Sequence, residues 1–130
     1  MATANSILKL FNNHLIDFIN DVISIFPNNL DLRTGLTFVE GIKKVNPKKL
    51  IQVWKISIMD VYKEQIENNN YDFFLNKDYK EDLPVDHDNK LVDIIEDIKT
   101  LLKNTSKANQ TKAMKYVQNL SKMSNLYFLQ

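Results

Sequence analysis

The chain has 130 residues, room for one ordinary domain and too few for two. Seventeen basic and sixteen acidic side chains leave a formal net charge of +1, and 44% hydrophobic with 25% charged residues is globular rather than disordered composition. The absence of Cys excludes disulfides, thiolate zinc sites, iron–sulfur clusters and Cys nucleophiles, and two Gly leave little material for phosphate loops or tight hairpins.

In chain order, Leu8, Phe11, Leu15, Phe18, Val22 and Ile25 recur at three- and four-residue steps, with Ile16, Ile19, Ile23 and Phe26 widening the stripe. This spacing predicts an amphipathic helix over Ser6–Phe26, capped by Asn5 or Ser6 and stopped by Pro27. Polar residues from Lys9 to Asp21 interrupt the apolar run, so neither a secretory h-region nor a transmembrane segment is expected at this end. With no Cys as well, a reducing cytosolic or nuclear setting is the default.

Asn28-Asn29 reads as a turn, and Asp31 as the N-cap of a second helix through Val45 with Leu32, Leu36, Val39 and Ile42 inward. Gly35 and Gly41 weaken it by up to ~1 kcal/mol each, unless another helix approaches closely there. Asn46-Pro47 marks a boundary, with Asn as cap and Pro at the first helical position of a third helix, Pro47–Glu67. That helix is expected to bury Leu50, Ile51, Trp54, Ile58, Val61 and Tyr62, with Ile66 near its end. Asn68 to Asn70 terminate it.

Tyr71 to Leu75 form one expected helical turn pinned by aromatics, followed by an irregular acidic loop over residues 76–89. A fourth main helix is predicted over Lys90–Lys103 and a fifth over Ser106–Asn125, the latter with Ala113, Tyr116, Val117, Leu120, Met123 and Tyr127 on one side. The expected architecture is all-α, a single domain over residues 1–130 forming a compact bundle of about five helices plus the aromatic turn and acidic loop.

Catalytic patterns are missing. Asp86-His87-Asp88 is the one local cluster of metal-ligand types, but neighbours in a loop rarely converge on one ion, and His14 lies far away on a helix. There is no Gly-x-Ser-x-Gly elbow, and the carboxylate pairs Asp93/Asp97 and Glu64/Glu67 have ordinary helix-surface spacing. The expectation is a non-enzyme with no metal, no cofactor and no small-molecule substrate.

Charge is segregated along the chain. Asp72 to Asp97 holds nine acids and three Lys, whereas Ile98 to Gln130 holds six Lys and no acid. Lys43, Lys44, Lys48 and Lys49, with Lys112, Lys115 and Lys122 on the last helix, form a candidate basic patch. Nucleic acid is the less favoured partner, because Arg33 is the only Arg available for bidentate base contacts. Pairing of acidic and basic segments, within one molecule or between copies, is the favoured account. Trp54 falls on a core stripe. Tyr71, Phe73, Phe74 and Tyr79, with Asp82, Asp86 and Asp88, form the candidate protein interface.

The stretches FNNHLIDFINDVISIFPNN, IKKVNPKKLIQVWK, YKEQIENNNYDFFLNKDY and KAMKYVQNLSKMS, in that order, resemble short helical proteins encoded by large double-stranded DNA viruses of protists and algae. The Asn-, Lys- and Ile-rich composition agrees with such an AT-rich source. The resemblance carries no catalytic signature. It implies a structural role, that of a minor virion (capsid-associated) component which contacts other viral structural proteins or copies of itself. Its implied location is the virion, and the host cytoplasm during assembly. The alternative is a regulatory or nucleic-acid-associated viral factor using the Lys stretches.

Overall fold

Thr3 starts the first helix. Its Oγ1 accepts the Ser6 backbone N–H at 3.1 Å, while the Ser6 hydroxyl oxygen accepts the Thr3 N–H at 3.0 Å, a reciprocal capping box. The cap therefore lies upstream of the expected Asn5 or Ser6, and Ser6 occupies its third helical position. The computed structural model describes residues 3–68 and 89–129. α1 spans Ala4–Ile25, and Phe26-Pro27 ends it as expected.

α2 spans Leu30–Val45. Its N-cap is Asn29, whose Oδ1 accepts the Leu32 N–H at 3.0 Å, rather than Asp31, which sits in the first turn where its charge complements the helix dipole. Asn46 closes α2, and Pro47 and Lys48 form a turn before α3, Lys49–Trp54. Pro47 thus precedes the helix instead of opening it. A π turn, Lys55–Met59, follows and runs directly into α4, Asp60–Glu67.

The π turn has a geometric reason. Twelve residues separate Trp54 from Ile66, which in an uninterrupted α-helix would place them about 120° apart. One residue absorbed in a wide turn brings them to about 20°. Both are buried, on one continuous core that also holds Leu50, Ile51 and Ile58. The side chains of Val61 and Tyr62, also expected inward, lie outside the described residues.

α5 spans Asn89–Lys103, starting one residue before the expected Lys90. Ser106 then caps α6, Lys107–Phe128, by accepting the Asn109 N–H at 3.2 Å. α6 runs three residues beyond the expected end at Asn125. The expected aromatic turn, and the acidic loop up to residue 88, lie outside the described residues.

The six α-helices and the π turn pack as an all-α bundle, with no strand among the described residues. α1 is its axis. α2 returns antiparallel to it, Lys43 Nζ donating to Asn13 Oδ1 at 2.9 Å near one end and Arg33 clasping the Pro27 carbonyl at 2.9 and 3.2 Å near the other. α6 also runs back along α1, so that Tyr116 meets His14 and Phe18 while Lys112 meets Asp21. Phe11, Ile19, Leu32, Ile51 and Leu120 are fully enclosed between these helices, each side chain contributing roughly 1.5–3 kcal/mol of burial.

At Gly35, α2 lies directly against Ile94 of α5. A Cβ there would lie 3.2 Å from Ile94 Cγ1, which supports the close-approach reading of this glycine. At Gly41 a Cβ would meet nothing within 4 Å.

Candidate functional site

The π turn and α4 pack against the last turns of α6 and leave a groove of about 610 Å³ between them. Its apolar part comes from Met59 and Ile66 on one side and Phe128 and Leu129 on the other. Ile66 belongs to the core, but Phe128 and Leu129 keep 39% and 72% of their surface in water, and Ile56 and Leu126 on the same two elements keep 49% and 51%. Large apolar side chains exposed together are the surface feature that most often marks a contact site.

The groove is also charged. Lys55 reaches Asp60 at 2.7 Å, and its Nζ lies 5.5 Å from the Phe128 ring centroid, so it is held by its ion pair and by the ring face. Lys63 and Lys122 face the same groove and are not ion-paired among the described residues; Glu67 is the remaining acid on the rim. Beneath the rim, Trp54 Nε1–H donates to the buried Ser121 Oγ at 3.1 Å, and the Gln118 side-chain amide donates to the Ile66 carbonyl at 3.1 Å. These bonds fix α6 against the π-interrupted helix, so the groove is built on rigid walls.

A second polar cluster lies on the seam between α1 and α6. The Tyr116 ring stacks on Phe18 with centroids 4.9 Å apart and interplanar angle 14°, and meets His14 at 4.7 Å. The Tyr116 hydroxyl donates to the Asp21 carboxylate, which also pairs with Lys112 at 3.3 Å. That hydrogen bond is the main reason the Asp21 carboxyl is held below its ordinary value; Lys112 acts in the same direction, and desolvation opposes it. The same bond, with burial and the nearby charges of Asp21 and Asp17, pushes the Tyr116 hydroxyl up to about 12. A phenol held neutral this firmly is a poor base at neutral pH. The cluster is a structural clasp.

The expected basic patch is distributed over the surface. Lys43 is bonded to Asn13, and Lys112 to Asp21, eight residues or about 12 Å farther along α1. Lys44 and Lys48 are exposed around the corner between α2 and α3, Lys49 is half-buried there, and Lys115 is exposed on α6. Only Lys122 of the seven lines the groove, where its neighbours Lys55 and Lys63 were not among the candidates. The aromatic–acidic interface of Tyr71, Phe73, Phe74, Tyr79, Asp82, Asp86 and Asp88 lies outside the described residues.

Among the described residues no group of three His, Asp or Glu side chains could hold a metal ion, and no helix is long and apolar enough to cross a membrane. The fold and groove define an all-α helical bundle with one open, mixed apolar and cationic face beside its C-terminal helix. Compared with protein-family models, curated proteins and solved structures, the chain matches none.

Proposed function

We propose that this protein acts by contact rather than catalysis, docking a partner protein in the groove between α4 and the end of α6. The observation that supports this reading most is the exposure of Phe128 and Leu129 together with Lys63 and Lys122, neither ion-paired among the described residues, on walls joined by the Trp54–Ser121 bond. An apolar anchor surrounded by charge is the usual anatomy of a protein–protein contact. The fitting partner surface presents an apolar side chain flanked by carboxylates. In the setting implied by the resemblance, that partner is a larger structural protein of the particle or another copy of this chain, and the protein is a minor virion component. Quantifying the protein in purified particles tests this. A defined copy number relative to the major shell protein supports the reading, and its absence from particles overturns it.

The nucleic-acid alternative draws less support, because the lysines it would use are spread over separate faces and two of them are already bonded to α1. Salt-dependent retention on DNA or RNA, lost on reversing Lys112, Lys115 and Lys122, would favour it.

A further inference from the structure

A second space lies among the helices, lined by residues other than those of the groove. Residues of α1, α2, α3, the π turn, α5 and α6 line a partly open pocket of about 100 Å³. Phe18, Val39, Trp54, Ile98 and Met114 form part of its wall, and apart from Lys99 and Gln110 every described lining side chain is apolar. Protein interiors are packed almost without voids larger than a water molecule, so an apolar pocket of this size reaching in between the helices is unusual.

The chemistry of the wall decides what it can hold. Water in a buried site needs two to four polar partners. Here the two polar side chains are committed: Lys99 Nζ pairs with Glu96 at 2.6 Å, and the Gln110 amide donates to the Leu102 carbonyl at 2.9 Å. A charged ligand would be desolvated with no free counter-charge facing it. A neutral apolar molecule loses no hydration of its own charge on entry and gains dispersion contacts with the apolar walls. Engineered apolar cavities of about 150 Å³ take up benzene and xenon, so this smaller one sets benzene as the upper size.

We propose that this cavity is a binding site for a small neutral apolar molecule, a short hydrocarbon or a single aromatic ring. The site is independent of the groove, since it shares no ligand chemistry with it and needs no partner protein.

The test is methyl NMR on the full chain, with xenon, benzene and benzoate as probes. Xenon and benzene should move the methyl resonances of the lining residues, among them Val39, Ile98, Ala113 and Met114, and leave methyls outside the cavity wall, such as Leu126 and Leu129, in place. Benzoate should do neither. Ala113→Leu fills the space from α6 and should weaken the xenon response by about tenfold or more. Val39→Ile adds a single methylene and provides the same readout, in weaker form, if the larger residue disturbs folding. Lining methyls that stay still under xenon pressure would overturn the proposal. So would an undiminished response in the folded filled variants, or stronger binding of benzoate than of benzene.

Discussion

Two regions of α6 use the same residue types in opposite ways. On the seam with α1, Tyr116, Asp21 and Lys112 satisfy one another, and the Tyr116 ring is packed between His14 and Phe18. Along the groove, two turns farther on, Lys122 and Lys63 line one space with no acid paired to either among the described residues, and Phe128 and Leu129 stay 39% and 72% exposed. A polar group that has found its partner inside the molecule contributes to stability. One left facing an open apolar surface contributes little, which makes it available for a second molecule. The contrast separates what holds this bundle together from what it presents.

The largest effect that separates the two regions comes from aromatic truncation. Trp54→Ala, beneath the groove, should cost about 3–5 kcal/mol of unfolding free energy in a denaturant titration, since it opens a void and removes the bond to Ser121. Phe128→Ala at the groove rim should cost clearly less, about 1 kcal/mol, for its partly covered ring and the contact with Lys55. Equal losses for the two would mean that the groove is part of the core.

Next comes Ser121→Ala, which leaves the buried Trp54 N–H without an acceptor. About 1–3 kcal/mol should be lost, with tryptophan fluorescence reporting the altered indole environment. A neutral result would show that the Trp54–Ser121 bond does not lock the groove wall.

Tyr116→Phe keeps the ring stack and removes only the hydroxyl. A cost of about 1 kcal/mol is expected, reduced by the partial exposure of Asp21, and the pH dependence identifies its source. The Tyr116 hydroxyl has its folded value raised from 10.0 to about 12, so its contribution is complete below pH 10 and is lost as pH rises from there towards 12. Asp21 has its folded value lowered below 3.8, so its contribution is present above that pH and is lost as pH falls through the folded value. Unfolding free energies measured across pH should show the alkaline decline weakened in Tyr116→Phe. An unchanged alkaline profile would contradict the clasp.

The smallest effect repeats the packed-against-open contrast on α2. Gly41→Ala should stabilise by about 0.5–1 kcal/mol, because the added methyl meets open space and the unfolded chain loses freedom. Gly35→Ala should gain less or lose stability, since Ile94 must yield to a Cβ 3.2 Å away. A higher melting temperature for Gly35→Ala than for Gly41→Ala would refute the close approach of α2 and α5.

Most of the helical architecture was legible because apolar periodicity reports directly on buried faces. The stripes from Leu8 to Ile25 and from Leu91 to Leu102 map onto α1 and α5 almost residue for residue. Boundaries were less legible where several cap-competent side chains sit together. Thr3, Asn5 and Ser6 can all accept a helix N–H, and Asn29 competes with Asp31, so only backbone geometry decides between them. The π turn leaves no residue signature, because it follows from the phase between Trp54 and Ile66 rather than from local propensity. The groove was missed for a related reason. Its lysines come from positions 55, 63 and 122, and its apolar rim lies past the expected end of the last helix. The seam was partly visible, in that Tyr116 lay on the inward stripe, but its bond to Asp21 joins residues that sequence spacing cannot connect.

The proposed function assigns the groove to a partner and the seam to the fold. On the proposed role as a virion component, it is tested by comparing two charge-reversal variants, Lys63→Glu with Lys122→Glu in one and Lys112→Glu in the other, measuring unfolding free energy and copies per particle for each. The first pair should leave stability within about 0.5 kcal/mol of wild type and abolish incorporation. Lys112→Glu, which sets a carboxylate beside Asp21, should lower stability while the folded protein is still incorporated. Incorporation that survives reversal of Lys63 and Lys122 but fails with a folded Lys112→Glu would mean that the seam, not the groove, meets the partner.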